Sequence, residues 1–363
     1  MTQTAGIVGA GIMGRLWALA LRRAGWDVTL FDRDTEAGTL ACTWTGAGMI
    51  APYCELEAAE QWVTSLGVRS MEHWPEWLQY LAEPVYFKGG GSLVVAHPAD
   101  RIELQRLQRR VTDHAPRPDI MRPVAASEIR ELEPELAERF SSGLYFPFEQ
   151  HMDNRGLVAA LGATLHRDGV QWLTGVEIEA VEPGRVVGPQ TWSFDWVFDC
   201  RGIGARGSLP DLRGVRGELF YLHAPEVNLS RPVRLMHPRH SIYLVPRPDH
   251  VYVIGATAIE SEDMGEVTVR SSLELLSAAY TVHTGFAEAR VLESSVNIRP
   301  ALPDHLPRFF VRDGLMRING LYRHGFLVAP ALVELGLDYL QTGRMPETGG
   351  PLFEREEEPA ACN

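Results

Sequence analysis

The feature that most constrains the fold is a glycine-rich turn, Gly9–Gly14, which joins a short apolar segment to a helical pattern. Residues 5–8 are small and apolar, and apolar side chains recur at helical spacing over residues 12–24. Alternating apolar and polar residues then lead to Asp32, 18 residues after the last glycine. A strand, a GxGxxG turn, a helix and a second strand ending in an acid form the unit that binds dinucleotides. The sequence therefore predicts an α/β fold with such a cofactor in its first unit.

Each position of this turn has a physical role. Gly9 permits the tight turn, Gly11 lets the backbone approach a pyrophosphate, and Gly14 lets the helix pack closely against the strand. The helix that follows begins with Ile12 and Met13, and its N-terminal amides supply hydrogen-bond donors and partial positive charge. We therefore expect these five residues to contact the cofactor.

The acid at the end of the second strand indicates which dinucleotide binds. The Asp32 carboxylate can accept hydrogen bonds from an adenosine ribose and would repel a 2′-phosphate. NADP is therefore disfavoured, although Arg33 follows, while NAD and FAD both stay open at this point.

A second run of the same form, Gly202–Gly207, follows a strand that ends at Cys200. Pro210 lies three residues after the run and would continue a phosphate-binding helix poorly. No strand ending in an acid follows it. We interpret this run as the strand end and turn of one larger nucleotide-binding domain.

Charge and apolar content exclude two classes of partner. The 363 residues include 34 basic and 47 acidic side chains, a formal net charge of −13, whereas a nucleic-acid binder needs a basic face. No stretch reaches the roughly 18 apolar residues of a membrane span. The four cysteines are scattered without CxxC or zinc spacing. We therefore expect a cytoplasmic protein without a nucleic-acid partner, a membrane span, a disulfide framework or a metal site.

Patterns further along the chain predict how the domains are arranged. Helical patterns occupy 55–81 (interrupted at Pro75), 99–113, 127–139, 155–168, 268–281 and 326–341, strands 92–96, 194–200, 218–223, 241–245 and 251–257, and a small-residue loop 40–52. We expect a Rossmann-like cofactor domain from residues 1–83, 145–215 and 301–345, a mainly antiparallel substrate domain from 84–144 and 216–300, and an acidic tail over 346–363, disordered from Glu354 onward.

Several further motifs occur in a fixed order along the chain. They are Ala47–Met49, Tyr243–Arg247, Gly255–Thr257, Arg299–Asp304 and Tyr322–Pro330, all after the opening glycine turn. Together the six motifs resemble the D-amino acid oxidase family, and most of all its bacterial glycine oxidase branch, which is associated with thiamine biosynthesis. The resemblance extends from Gly6 to about residue 340.

This resemblance implies a noncovalent FAD, held in a glutathione-reductase-type domain, and a substrate pocket on the re face of the flavin that is roofed by the antiparallel sheet. Asp32 and Arg33 would contact the adenosine ribose, and Val176 would present its backbone to the adenine. Further cofactor contacts would come from Cys42, Thr43, Ala47, Gly48, Met49, Gly202, Leu321, Tyr322, Arg323, His324, Gly325, Phe326 and Leu327.

The resemblance also implies how the substrate binds. Arg299 would clamp a substrate carboxylate with Tyr243 and Arg323 beside it, and Met49 would shape the pocket. A buried carboxylate needs a fixed, bidentate cation, which an arginine supplies. We expect a small amino acid, with glycine ahead of sarcosine or a small D-amino acid, and O2 as the acceptor that yields peroxide. The imine would hydrolyse or pass to thiazole assembly.

The sequence departs from the family pattern near the flavin. Leu321 stands where a histidine is usual and His324 where an asparagine is usual, which puts the hydrogen bonds to the flavin carbonyls in question. A tryptophan common shortly before the arginine–proline pair is absent from residues 294–298, so the pocket could differ in size. The cysteine that links flavin in sarcosine oxidases has no counterpart, since Cys362 is the only cysteine after Cys200.

Three alternatives remain open. The first is a dehydrogenase of D-amino acids or sarcosine that passes electrons to another acceptor. The second is a tRNA-modifying flavoenzyme, which the net charge of −13 disfavours. The third is a flavin-binding protein without turnover. Homo-oligomers are common in the family, but no residue pattern here fixes a symmetry.

Overall fold

The computed structural model describes residues 2–54, 61–114, 117–239 and 241–356. Within them lie eight α-helices: α1 Ile12–Arg23, α2 Cys42–Thr45, α3 Gln61–Gln79, α4 Arg101–His114, α5 Ala126–Leu132, α6 Asn154–Arg167, α7 Val269–Val282 and α8 Gly325–Thr342.

The strands of the described residues are β1 Thr4–Val8, β2 Asp27–Phe31, β3 Met49–Ile50, β4 Phe87–Lys88, β5 Ser92–Ala96, β6 Arg122–Ala125, β7 Ser142–Phe146, β8 Gln150–Met152, β9 Gln171–Leu173, β10 Ala180–Glu182, β11 Arg185–Val187, β12 Thr191–Ser193, β13 Trp196–Asp199, β14 Arg213–His223, β15 Val233–Met236, β16 Ile242–Pro246, β17 Val251–Gly255, β18 Arg290–Ala301, β19 Arg308–Arg312, β20 Leu315–Asn319 and β21 Phe353–Arg355.

The first sheet has the order β21-β19-β20-β13-β1-β2-β9, and β1 lies in its middle. Strands β9, β2, β1, β13 and β20 are parallel, and β19 joins them antiparallel. A parallel strand is covered on both faces, which explains why residues 5–8 are continuously apolar and buried. The predicted βαβ opening is confirmed.

Helices α1 and α8 pack together against this sheet. Leu16, Trp17 and Leu19 of α1 are fully buried, and the Trp17 ring lies 4.7 Å from that of Phe198 in β13. Helix α8 is apolar around most of its circumference, as expected for a helix that also packs against α3. The last apolar segment therefore returns to the first sheet, as predicted. Among the described residues, no helix is both long and apolar enough to span a membrane.

The second large sheet has the order β18-β14-β17-β16-β15-β5-β7-β6 and is antiparallel except between β15 and β5. Helix α7 covers one face through buried Leu275 and Ala279. Strands β16 and β17 form the predicted hairpin, in which Asp249 and His250 have positive φ. The α/β class with a second, mainly antiparallel sheet is confirmed. The domain boundaries stay a prediction.

Four local expectations need correction or a limit. Pro75 does not interrupt α3; it is exposed, so water can bind the backbone carbonyl that loses its amide partner. The helix predicted over 127–139 ends at Leu132, because Pro134 disfavours helical backbone at Glu133. The loop predicted over 40–52 contains α2 and β3. Residues 55–60, the start of the helical pattern predicted over 55–81, lie outside the described residues. Part of the predicted disordered tail forms β21; residues 357–363 are not described.

Candidate active site

The turn between β1 and α1 has a shape that two of its glycines impose. Gly9 has a φ of +98°, and a Cβ there would lie 2.6 Å from the carbonyl oxygen of Cys200. A Cβ on Gly14 would lie 1.8 Å from the carbonyl oxygen of Gly9, so α1 could not pack so close. At Gly11 the backbone is extended, and an added Cβ would meet its nearest atom, Oγ1 of Thr43, at an ordinary 3.5 Å. The protein itself therefore leaves room at Gly11, as the predicted close approach of a ligand requires.

The N-terminus of α1 presents donors without a competing acid. The Ile12 amide donates to Oγ1 of buried Thr43 at 2.9 Å, and the first turn contains no acidic residue. Such a helix end attracts anions. Ile12 and Met13 line the cleft described below, whereas Gly14 lies behind it.

Asp32 follows β2 and is tied to the glycine turn. Its Oδ2 accepts a hydrogen bond from the Ala10 amide, and Oδ1 accepts one from the Asp34 amide at 2.8 Å. Each carboxylate oxygen has further acceptor capacity, so a ribose hydroxyl can still bind. Exposed Arg33 lies beside it, and the amide of Val176 donates to the Asp32 carbonyl at 3.0 Å. The carbonyl and side chain of Val176 are thus the groups it can offer to an adenine.

Arg15 supports this turn and was missed in the sequence. Its guanidinium is fully buried and donates to the carbonyl oxygens of Ala10 at 2.7 Å, Val158 at 3.0 Å and Glu36 at 2.7 Å. Burial lowers its pKa to about 10, so it stays charged at neutral pH. A charged residue on the apolar face of α1 was the only signal in the sequence.

A cleft of about 340 Å³ lies between the two large sheets. Apart from Gly14, the structure brings every sequence-predicted site residue to it: Gly9, Gly11, Ile12, Met13, Asp32, Arg33, Cys42, Thr43, Ala47, Gly48, Met49, Val176, Gly202, Tyr243, Arg299, Leu321, Tyr322, Arg323, His324, Gly325, Phe326 and Leu327. The sequence analysis missed other lining residues, among them Gly217, Leu219, Ala256 and Asn297.

The segment that contains α2 is attached to the roof of the cleft. The Cys42 thiol donates to the Ile298 carbonyl at 2.9 Å, and burial raises its pKa to about 11, so the thiol is neutral at physiological pH. The Asn297 amide donates to Thr45 Oγ1 at 3.3 Å. Gly48 has a φ of +63°, and a Cβ there would lie 2.2 Å from the Met152 carbonyl oxygen. The position of Gly48 therefore leaves no room for a side chain next to β8.

The second helix that begins at the cleft is α8. Its first residues, Gly325–Leu327, line the cleft, and its first turn contains no acid. Before it, Tyr322 has a φ of +49° and stacks on His305 with ring centres 4.5 Å apart. His324 and Leu321 are buried. Amides at the start of α8 offer hydrogen-bond donors that do not depend on which side chains occupy positions 321 and 324.

Arg299 of β18 also lines the cleft. Its Nη1 donates to the Thr257 carbonyl oxygen at 2.9 Å. Burial lowers its pKa, and the charge of nearby Arg323 lowers it further, whereas Tyr243 and Tyr322 oppose the decrease. Arginine remains charged in proteins, so this side chain is a fixed cation with nitrogens left to bind an anion.

Two further predicted residues flank Arg299. Tyr243 lies in β16 directly opposite Gly255 of β17, and a Cβ at Gly255 would lie 2.7 Å from the Tyr243 hydroxyl. Met49 packs with Tyr243 and buried Leu219 in one apolar cluster. Arg323 is exposed, so it lies at the rim. The structure thus brings together the four residues predicted to bind substrate.

These residues fit an FAD. One end of the cleft has a carboxylate for the ribose, and two acid-free helix N-termini face its interior. A model of the family "FAD dependent oxidoreductase" (DAO) matches residues 5–335. The chain belongs to this family. It is therefore an FAD-dependent oxidoreductase, which confirms the predicted cofactor and enzyme class.

Relatives of known name extend the comparison. The chain is 44% identical over 324 residues, 89% of its own length and 92% of the relative's, to the "Putative thiamine biosynthesis oxidoreductase ThiO" of Rhizobium etli. It is 28% identical to the "Bifunctional protein ThiO/ThiG" of Trichormus variabilis over 94% of its own length, but spans only 53% of that protein.

A solved structure has the same fold. The glycine oxidase of Geobacillus kaustophilus superposes with a TM-score of 0.84 over 99% of this chain and 100% of that one, at 22% identity. At 22% identity this likeness establishes the fold alone.

Proposed function

We propose that this DAO-family protein catalyses the oxidative deamination of a small amino acid, with glycine as its leading substrate. Glycine, O2 and water would yield glyoxylate, ammonia and hydrogen peroxide. The observation that carries the proposal is Arg299 beside Tyr243 inside the cleft. Among the described lining residues, acids occur only as Asp32, Asp34 and Glu177. Arg299 thus faces no described carboxylate, and an anionic substrate would neutralise it.

Arg299 would bind the substrate carboxylate with the guanidinium nitrogens that Thr257 leaves available. A planar guanidinium can make two parallel hydrogen bonds to a carboxylate, which fixes the rotation of the substrate as well as its position. The Tyr243 hydroxyl would donate a third, and Arg323 would contribute charge from the rim. Positioning of this kind supplies much of the rate that a protein adds to a cofactor reaction.

The apolar side of the pocket favours a small substrate. Met49, Leu219 and Tyr243 pack together next to Arg299 and would exclude water from the reacting carbon. A dry environment strengthens the interaction between Arg299 and the carboxylate. A bulky side chain would have to displace this cluster, so glycine is the leading candidate, with sarcosine or a small D-amino acid behind it.

FAD would bind without a covalent link. Asp32 would accept its ribose hydroxyls, the amides of α1 would bind its pyrophosphate, and those of α8 its ring carbonyls. When bound, FAD supplies the two-electron acceptor that the chain lacks. The 44% identity to a relative named for thiamine biosynthesis supports a further proposal, that the imine product enters thiazole synthesis.

The test is the visible spectrum of the purified holoprotein, recorded without oxygen before and after glycine is added, and again after air is admitted. We expect glycine to bleach the flavin band and air to restore it with formation of peroxide. Bleaching without recovery in air would indicate a dehydrogenase with another acceptor. A flavin that glycine, sarcosine and D-alanine all fail to bleach would refute the proposal.

A further inference from the structure

Arg299 takes its orientation from Thr257, a residue that follows β17. The only hydrogen bond from its guanidinium to described residues is that from Nη1 to the Thr257 carbonyl oxygen, at 2.9 Å. Thr257 follows β17 immediately after Ala256, which lines the cleft. The place of this carbonyl therefore decides which guanidinium edge faces the cleft.

Thr257 is in turn held by three hydrogen bonds to one residue of β14. Its hydroxyl donates to Oε2 of Glu218 at 3.0 Å and accepts from the Glu218 amide at 2.9 Å. Its own amide donates to the Glu218 carbonyl at 3.2 Å. This double attachment, through side chain and backbone, leaves the Thr257 peptide little freedom to rotate.

Glu218 is fixed at its other oxygen. Its Oε1 accepts hydrogen bonds from Nε of Arg216 at 3.0 Å and from Nη2 at 2.7 Å, and both side chains are almost fully buried. A buried carboxylate is costly unless it is paired in this way. The charge of Arg216 compensates that of Glu218, and Arg216 also lies 3.5 Å from the carboxylate of exposed Asp263.

We propose that Glu218 is a positioning residue for substrate binding: through Thr257 it fixes the guanidinium of Arg299 in the orientation that receives the substrate carboxylate. This inference rests on the proposed function. Glu218 does not line the cleft, so its effect is on the geometry of Arg299 and not on the substrate directly.

The test compares Thr257→Val, which removes the hydroxyl and keeps the β-branched shape, with Thr257→Ser, which keeps the hydroxyl. Acetate serves as the probe, because it is a carboxylate that cannot be oxidised here, and its binding is followed by the perturbation of the flavin spectrum in the holoprotein. We expect roughly a tenfold rise in the acetate Kd and in KM for glycine for Thr257→Val, with a much smaller change in kcat. Thr257→Ser should restore both constants to near wild-type values.

Thr164→Val is the matched control. Like the half-buried Thr257, the buried Thr164 uses its hydroxyl both as acceptor, from the Ala82 amide at 2.8 Å, and as donor, to the Ala160 carbonyl at 2.6 Å, but it lies in α6 and does not line the cleft. The control should lose stability without any change in acetate affinity. An equal rise in acetate Kd in the control would overturn the inference, because the loss of a hydroxyl far from Arg299 would then weaken acetate binding just as much.

Glu218→Gln tests the carboxylate itself. It should raise the acetate Kd as Thr257→Val does while FAD stays bound; if it does not fold, the threonine pair decides the question alone. Wild-type acetate affinity in Thr257→Val with bound FAD would refute the positioning role. Failure of the wild-type protein to bind acetate would instead refute the proposed function, which separates the two.

Discussion

The guanidinium of Arg299 lies directly over the α-carbon of Gly217. A Cβ added at Gly217 would be 2.3 Å from both Cζ and Nη2 of Arg299, distances that no real contact allows. Gly217 is a buried residue of β14, where glycine weakens a strand and needs a reason. The reason here is the space that the arginine occupies.

The variant Gly217→Ala should therefore displace Arg299 without displacing Asp32 or the turn Gly9–Gly14, where the cofactor is expected to bind. We expect kcat/KM for glycine to fall by roughly 100-fold, since a displacement of about 1 Å can cost that much, while FAD content stays at the wild-type level. Steady-state kinetics together with the flavin absorbance of the purified protein check this. Gly207→Ala is the control, because a Cβ there meets no atom within 4 Å. Unchanged kinetics in Gly217→Ala would contradict the contact.

Removal of the cation tests its role directly. Arg299→Ala should weaken binding of glycine by roughly 2–5 kcal/mol, which is about 30-fold or more, because the substrate carboxylate would lose its charged partner. The KM for glycine and the Kd for acetate are the measurements. Arg323→Ala should have a smaller effect, because Arg323 is exposed and solvent screens its charge. Normal turnover of glycine by Arg299→Ala would refute the proposal that Arg299 binds the substrate carboxylate.

Substitution of two glycines in the first turn should have different effects on FAD affinity and stability. Gly11→Ala should leave the stability of the FAD-free protein nearly unchanged and lower its FAD affinity, because only a ligand needs the space at that position. Gly14→Ala should destabilise the protein whether or not FAD is added, because its Cβ would lie 1.8 Å from the Gly9 carbonyl oxygen. Thermal unfolding of each variant at several FAD concentrations separates the two effects. Equal behaviour of the two variants would show that the ligand does not approach Gly11.

The first sheet and its cofactor turn could be predicted because their rules are local. Strand, turn and helix are neighbours in the sequence between Thr4 and Arg23, and the space that Gly14 leaves is filled by Gly9 of the same turn. The prediction that Pro75 interrupts α3 is wrong. Pro75 is exposed, so water can bind the carbonyl that loses its amide partner and the helix continues past it.

The residues that were missed act over long sequence separations. Gly217 makes room for a side chain 82 positions later, and Arg15 reaches the carbonyl of Val158, 143 positions away. Glu218 contacts Thr257, 39 positions away, just beyond the paired residues of β14 and β17, and no periodicity specifies that contact. The resemblance to a family supplied the residues that are predicted to touch ligands, but not those that hold these residues in place.

His151 makes the stability of the protein depend on pH. It is almost fully buried in β8 next to the Tyr86 ring, and neither ring nitrogen has a hydrogen-bond partner among the described residues. Burial lowers its pKa from 6.5 to about 3, with further decreases from the charges of Arg247 and Lys88. Between these two values the unfolded chain binds a proton at this position and the folded chain does not. The free energy of unfolding must therefore fall as the pH falls below 6.5.

His151→Leu should remove this part of the acid sensitivity. We expect the wild-type protein to lose, at most, about 1.4 kcal/mol more than the variant for each pH unit between 6 and 4, and no difference in slope above pH 7.5. Urea unfolding at pH 8, 7, 6, 5 and 4 measures both slopes, and the variant serves as the reference for every other titrating group. His166→Leu is the matched control, because His166 is exposed and hydrogen-bonded to Glu36. Parallel slopes for the wild type and His151→Leu would contradict the prediction. They would mean that the charged imidazolium finds a hydrogen-bond acceptor in the folded protein.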